Sequence, residues 1–188
     1  PISGSPTNTI SDEPKVSSVA LLSNDFIGMK PTMLVKEGET VKAGQKIFED
    51  KKNNGVYFTS PAGGIVKDIN RGDKRRFLSI EIDIKDTEEF VNFDMGDSVD
   101  QIKDCLIDSG LWNAFRTRPF NRTPGINEIP DAVFINCCDS NPLSIDPYEI
   151  ILLNKTEFDE GLNVLTDFFR CNINPVSYTH LRAHETET

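Results

Sequence analysis

Residues 35–69 read VKEGETVKAGQKIFEDKKNNGVYFTSPAGGIVKDI, a stretch in which turn residues fall at short intervals between brief β-type runs. Gly38, Gly44, Gly55 and the Gly63-Gly64 pair each interrupt an apolar alternation, and glycine turns a chain through positive φ without a Cβ clash. Asn53-Asn54-Gly55 stands between Ile47-Phe48 and Val56-Tyr57-Phe58, a short-range hairpin signal of type I′ character. Pro61 bars the segment after Phe58 from continuing as a central strand. The stretch therefore predicts several short strands folded back on one another as a compact β unit.

The pattern G-x-x-V-x-x-G-Q is carried by Gly38, Val41, Gly44 and Gln45, and is followed by the hairpin, Ser60-Pro61 and Gly64-Ile65-Val66. This resembles the biotinyl/lipoyl carrier fold, a barrel-sandwich hybrid. In a carrier the modified lysine stands at the hairpin apex among small or methionine neighbours. Here the hairpin reads Asp50-Lys51-Lys52-Asn53-Asn54-Gly55, with two adjacent lysines before a longer turn. Two readings follow: Lys51 or Lys52 is acylated, or both are solvated hairpin charges. The departure from the carrier motif favours the second.

At 188 residues the chain suits one or two domains and can bury a real core. Thirty acidic against twenty basic residues give a net charge of -10, which argues against nucleic-acid backbone binding as the main activity. Apolar runs such as 132–135 and 150–153 are far too short to span a bilayer, and no secretory apolar region is present. Cys105, Cys137, Cys138 and Cys171 form no C-x-x-C pair and no cluster at zinc spacing. Reduced, buried thiols are expected, since the adjacent Cys137-Cys138 extends an apolar run and adjacent cysteines rarely reach good disulfide geometry. His180 and His184 both lie near the end, spaced i, i+4 but not in the H-E-x-x-H order of a metalloprotease. The segment 176–188, VSYTHLRAHETET, reads as adaptor- or vector-derived sequence and is set aside from the fold. The body of the chain then lacks histidine, the commonest general base and transition-metal ligand.

Taken in order, residues 1–14 form an irregular lead-in whose start suggests a trimmed natural N-terminus, and VSSVALL at 16–22 is a first strand. Residues 26–33, FIGMKPTM, make a loop carrying unusual apolar content, expected mostly to plug the local core. Residues 70–76, NRGDKRR, concentrate positive charge in an acidic chain. They read as a basic hairpin tip, with docking to an acidic partner or to phospholipid headgroups as the functional alternative. Leu78, Ile80, Ile82 and Ile84 alternate with polar residues as a half-buried strand. After an acidic linker through Asp97, Ser98 and Gln101 form a capping-box pair, Ile102, Cys105 and Leu106 an apolar stripe, and Gly110 a stop. Residues 111–115 add a turn, and 116–130 are a Pro-dotted loop. The continuous apolar run 132–138 predicts a strand buried on both faces of a parallel sheet. Residues 139–143 follow its carboxyl end, where α/β folds place ligands. Thr156 with Asp159 is expected to open a second helix, with Phe158, Leu162, Leu165 and Phe169 on one face.

The fold class expected is α+β/α/β: a barrel-sandwich hybrid (biotinyl/lipoyl-like) β domain over 1–94, the start of a Rossmann-like α/β domain over 95–175, and the tail 176–188. Several segments together carry a second, much more specific resemblance: GMKPTM at 28–33, FEDKK at 48–52, FTSP at 58–61, INRG at 69–72, SGLW at 109–112, RTRPF at 116–120 and DSNPL at 139–143. Over 1–169 the chain resembles the NqrA family, one of the component families of the sodium-translocating NADH:quinone oxidoreductase (Nqr). That resemblance implies a peripheral subunit on the cytoplasmic face of the bacterial inner membrane. The complex it implies passes electrons from NADH to ubiquinone while exporting sodium. It implies NADH, flavins, an Fe-S centre and ubiquinone for the whole complex, other Nqr subunits as partners, and no cofactor or metal on this chain. The sequence agrees in lacking a G-x-G-x-x-G after a strand and a P-loop. No catalytic residue is assigned. A quinone contact, if this chain makes one, would fall on Phe26, Ile27, Met29 and Phe120, because quinone sites need apolar walls with few polar anchors. Arg116, Arg118 and Asn141 are structural or anchoring candidates. A carrier module at Lys51 or Lys52 and a pure scaffold without substrate contact remain the alternatives.

Overall fold

The computed structural model describes residues 15–85, 89–139, 144 and 146–176. Asn141, His180 and His184 lie outside these residues. The described residues divide into two compact units, one before Ile129 and one from Ile129 onward.

In the first unit β1 (Ser18–Leu22), β2 (Pro31–Met33), β3 (Thr40–Val41), β4 (Lys46–Asp50), β5 (Tyr57–Thr59), β6 (Gly64–Arg71) and β7 (Phe77–Ile84) form two antiparallel sheets. One has the order β1-β7-β6-β3, the other β2-β4-β5. The short strands and frequent turns anticipated over 35–69 thus form a barrel-sandwich hybrid. Ile47, Phe48, Val56, Val66, Ile80 and Ile82 are fully buried between the sheets. Phe48 stacks on Phe58 at 4.6 Å between ring centroids and meets Phe77 at 5.4 Å. These aromatic faces account for much of the burial that holds so small a unit together.

The period of two in β7 holds for Ile80 and Ile82 but fails at its start. Leu78, expected inside, is 41% exposed, and Phe77 takes the inner place. The pairing of β6 with β7 slips between Asn70 and Arg71, so that Asn70 faces Ser79 but Arg71 faces Phe77. A bulge of this kind reverses which residues point inward. The β4–β5 connection also departs from expectation. A type I′ turn needs positive φ at both central residues, whereas in this connection only Gly55 has it, at +86°. The turn closes through Asp50 N–H to the Val56 carbonyl at 3.0 Å and Asn53 N–H to the Asp50 carbonyl at 3.0 Å.

The acidic connection is not bare linker: Ala43 N–H donates to the Glu89 carbonyl and Val91 N–H to the Ala43 carbonyl, each at 2.8 Å. Helix α1 (Val99–Asp108) starts with the anticipated Ser98–Gln101 capping box. Its buried residues are Ile102 and, unanticipated, Ile107, while Cys105 and Leu106 are only half-buried. A 3-10 turn at Leu111–Ala114 follows. Both belong to the β unit: the Thr59 hydroxyl donates to the Ser109 carbonyl at 2.9 Å and Asn113 Nδ2 to the Tyr57 carbonyl at 2.6 Å.

In the second unit β8 (Ala132–Asn136) and β9 (Asn172–Val176) pair in parallel, joined through α2 (Pro147–Leu153) and α3 (Lys155–Phe169). This is a β-α-β crossover. Helix α2 was not anticipated, although Asp146 caps it through the Tyr148 N–H at 3.0 Å and Pro147 occupies its first turn. Helix α3 begins one residue before Thr156, and Asp159 pairs with Lys155 at 2.6 Å rather than serving a capping box. Strand β8 is not buried on both faces as expected: with a single strand partner among the described residues, its Phe134 is 59% exposed. Val176, set aside with the tail, pairs with Asn136 as the end of β9.

All four cysteines are free thiols, of which Cys137 alone is buried. Burial pushes the Cys105 thiol above its ordinary pKa, reinforced by the charges of Asp108 and Asp94. Burial does the same to Cys137. Raised values leave less thiolate at a given pH, so both should alkylate with iodoacetamide at pH 8 more slowly than a fully solvated thiol. Peptide mapping of the modified sites checks this, and equal rates would contradict it.

Candidate functional site

Asp50, at the end of β4, organises the hairpin. Its Oδ1 accepts the backbone N–H groups of Lys30 and Lys52, each at 3.0 Å, and the residue is buried. Lys51 N–H donates to the Lys30 carbonyl at 2.8 Å, and Lys52 Nζ to the Gly28 carbonyl at 2.9 Å. Three of these bonds, Lys30 N–H to Asp50, Lys51 N–H to Lys30 and Lys52 Nζ to Gly28, fasten the loop before β2 to the hairpin. On the other side Asn53 Nδ2 reaches the carbonyls of Thr123 and Pro124 at 3.2 and 3.0 Å. A Cβ on Gly55 would stand 2.9 Å from Ile126 Cδ1, so the turn is packed beneath the 123–126 loop. A carrier presents its lysine on a free apex, and this apex is tied down on both flanks.

Removing the Asp50 carboxylate strands two backbone donors. Asp50→Ala should destabilise the unit by about 2 kcal/mol, and Asp50→Asn by less, because its amide oxygen can still accept. Urea unfolding of the two variants measures the difference, and equal losses would mean the carboxylate does not organise this turn.

The fastened loop forms one wall of a cleft of about 500 Å³. Phe26, Ile27, Met29 and Phe77 supply apolar lining, and Lys30, Lys52, Arg71, Lys74, Arg75 and Arg76 surround it with positive charge. Two segments singled out separately in the sequence, 26–33 and 70–76, thus meet at one place. The cause is strand pairing: Leu22 at the end of β1 faces Ser79 near the start of β7. That register sets the loop leaving β1 against the turn entering β7. Arg76 Nη2 spans the junction to Asn24 Oδ1 at 3.3 Å. Lys74 and Arg75 both lie in the left-handed region, at φ 54° and 61°, a strained conformation for residues with a side chain.

Residues 1–85 match the family model of the NqrA N-terminal barrel-sandwich hybrid domain, and residues 98–187 that of the NqrA second alpha/beta domain. The chain belongs to the NqrA family. It is 45% identical over 175 residues to the NqrA component of the Na(+)-translocating NADH-quinone reductase of Actinobacillus pleuropneumoniae serotype 5b, covering 90% of this chain and 39% of that relative. It is 50% identical over 173 residues to the component of the same name from Photorhabdus laumondii, covering 88% and 38%. To that of Klebsiella pneumoniae it is 47% identical over 173 residues. The chain spans about two-fifths of the length of these curated relatives.

Within this NqrA chain the quinone-proximal candidates separate. Phe26, Ile27 and Met29 line the cleft and Phe120 does not. Phe120 is 68% exposed, with the Arg122 guanidinium 5.9 Å from its ring centroid. Phe26 is largely committed to packing: it meets Phe58 edge-on at 4.6 Å, and the Arg116 guanidinium lies 5.3 Å from its ring centroid. Arg116, a structural or anchoring candidate, bonds oxygens of its own chain. Nη1 donates to the Asn113 carbonyl at 2.5 Å and Thr123 Oγ1 at 2.8 Å, and Nη2 to the Asp25 carbonyl at 3.4 Å. Burial pushes its pKa below the ordinary arginine value, and the Asp25 charge pulls it part of the way back. Arg118 is exposed and outside the cleft lining.

Sequence reasoning passed over Lys30 and Asp50, which hold the loop, and did not join Lys52 or Arg71 to the apolar segment. Among the described residues no three His, Cys, Asp or Glu converge as a metal site.

Proposed function

We propose that this chain is the N-terminal part of a peripheral, cytoplasmic-face subunit of a sodium-pumping respiratory complex. That complex transfers electrons from NADH to ubiquinone, coupled to sodium export. The identity of 45–50% to relatives named as components of a Na(+)-translocating NADH-quinone reductase, sustained through both domains, carries this reading. The part proposed for the chain is assembly, holding neighbouring subunits in place, and its geometry favours that over direct quinone chemistry. Phe26 is occupied by Phe58 and Arg116, which leaves Ile27 and Met29 as the free apolar wall beside six cations. A neutral quinone ring needs the reverse balance, apolar walls with few polar anchors.

The full-length protein, tagged and extracted from membranes, should co-purify with NADH:quinone reductase activity that depends on sodium. Recovery only as a free soluble species would overturn the assignment. A second reading, in which the protein contributes to the quinone site, rests on Phe26, Ile27 and Met29 sharing one cleft. A photoreactive quinone analogue on the assembled complex separates the two: label within 26–29 supports the quinone contact, and label confined to membrane subunits supports assembly. A carrier role predicts a biotin- or lipoate-sized mass increment lost in Lys52→Ala. The tied hairpin argues for an unmodified intact mass.

A further inference from the structure

The cleft between 23–31 and 71–77 combines charge and exposed apolar surface in a way the quinone-reductase reading does not use. Six of the chain's twenty basic residues gather there, in a protein of net charge -10, and no carboxylate is among the residues lining it. The ion pairs among the described residues join Lys42 to Glu89, Lys46 to Asp108, Lys67 to Asp83 and Lys155 to Asp159. None uses a cleft cation. Arg71 Nη1 bonds the Arg75 carbonyl at 3.4 Å, and Arg76 and Lys52 likewise reach neutral oxygens, on Asn24 and Gly28. Asp25, Asp50 and Asp73 stand in the same segments, but among the described residues none forms an ion pair with a cleft cation, and the neighbouring Lys74 and Arg75 stand on backbone held in the left-handed region.

Beside these cations stand large exposed aliphatics. Ile27 is 51% exposed on the cleft wall. Leu22 and Leu78 are also exposed, and their places in β1 and β7 put them at the same end of the sheet. Leu78 lies over Gly72, its methyl carbons 3.3 and 3.4 Å from where a Cβ would be. Cations interleaved with shallow aliphatic side chains suit an anionic lipid interface: the charges meet phosphates, and the aliphatics enter the headgroup boundary. The size of the cleft points the same way. A helix about 10 Å across rises about 5.4 Å per turn, so about 500 Å³ holds little more than one turn of peptide but accommodates a phosphodiester headgroup.

We propose that this cleft, with Ile27 on its wall and with Leu22 and Leu78 exposed at the same end of the sheet, docks onto the phosphate headgroups of anionic phospholipids. The test needs no other subunit. The 188-residue chain is sedimented with vesicles of phosphatidylcholine alone and with vesicles containing phosphatidylglycerol. Binding is expected only to the second, and should be largely lost at about 0.5 M salt, where charges are screened within a few ångströms. Lys74→Glu/Arg76→Glu should weaken it by roughly tenfold or more, given the contribution of each basic residue near an anionic surface. Lys15→Glu/Lys85→Glu, an equal charge change away from the cleft, should weaken it much less. Circular dichroism and melting of each double variant confirm that the fold persists. Ile27→Ser, which leaves the charge untouched, should also reduce binding.

Equal binding to both vesicle types, or equal losses in the two double variants, would overturn the proposal. So would binding of a labelled poly-glutamate peptide that is lost in Lys74→Glu/Arg76→Glu while vesicles are ignored, since the cleft would then serve an acidic protein segment. The outcome is independent of membership in the quinone-reductase complex, because that complex is absent from the assay.

Discussion

Replacing Gly64 with alanine should unfold the β unit under conditions in which the native chain is stable. Gly64 opens β6 in the middle of its sheet, with Ile84 of β7 on one side and Val41 of β3 on the other. Its φ is not in the left-handed region; the constraint is space. An added Cβ would collide with the carbonyl oxygen of Asp83 and lie 2.9 Å from its carbon and 3.0 Å from Ile82 Cγ2. The obstacle is backbone inside a hydrogen-bonded ladder, so it cannot rotate away as a side-chain tip could. Relief requires β6 and β7 to part, and these strands share the longest pairing among the described residues. A loss of about 3 kcal/mol or more is expected, equivalent to a fall in melting temperature of roughly 10 °C for a unit of this size. By contrast, Gly161 lies within α3 with nothing within 4 Å of its Cβ position. Alanine there should stabilise the helix by about 0.5–1 kcal/mol. Melting curves of the two variants decide the matter, and a Gly64→Ala protein melting within about 2 °C of the native chain would show that the close approach is absent.

Phe48→Ala should destabilise the same unit by about 3–5 kcal/mol, the range for removing a large aromatic from a packed core. Phe48 is fully buried and touches aromatic rings from both neighbouring elements: Phe58 of β5 stacked at 4.6 Å and Phe77 of β7 at 5.4 Å. Because Phe48 lies on the three-stranded sheet and Phe77 on the four-stranded one, the ring bridges the two layers. The cavity left by truncation cannot be filled by one layer without tearing the other from its ladder. Phe48→Leu retains most of the volume and should lose about 1–2 kcal/mol. Urea titrations give both values directly. A loss below about 1 kcal/mol for the alanine variant would mean the two sheets are held together elsewhere.

Strand-forming runs, glycine punctuation and the Ser98–Gln101 box were legible because each is governed by residues close in the chain. The capping box formed as its two residues require, and the hairpin formed where Asn53-Asn54-Gly55 placed it. Where the local rule was incomplete the reading failed. Leu78 continues a clean alternation, yet it is the extra residue of a bulge in β7, left unpaired between Ser79 opposite Asn70 and Phe77 opposite Arg71, and the alternation of β7 carries no mark of where its pairing with β6 slips. Helix α2 was overlooked although Asp146 and Pro147 are a cap followed by a first-turn proline, a start signal that was present in the sequence. Thr156 and Asp159 looked like a cap, but the chain enters α3 directly from α2 and Asp159 finds Lys155 instead.

The candidate site was legible only as two separate fragments. Residues 26–33 stood out for apolar content and 70–76 for charge, and each reading was local. Their union depends on β1 pairing with β7, Leu22 opposite Ser79 far along the chain, and on Asp50 gathering the Lys30 and Lys52 backbone donors. The carrier reading of Lys51 and Lys52 weakened for the same kind of reason: Asn53 is held by the carbonyls of Thr123 and Pro124, 70 and 71 residues away.

By itself, then, the sequence determined a barrel-sandwich β unit, a β-strand-to-helix second unit and membership of the NqrA family, because turn chemistry, strand period and family motifs reside in contiguous residues. Tertiary structure alone decided that the hairpin lysines sit on a tethered turn, that Phe26 is packed under Arg116 while Phe120 is not in the cleft, and that six cations surround one apolar recess. Those outcomes follow from strand register and long-range hydrogen bonds, which join residues that no local pattern relates.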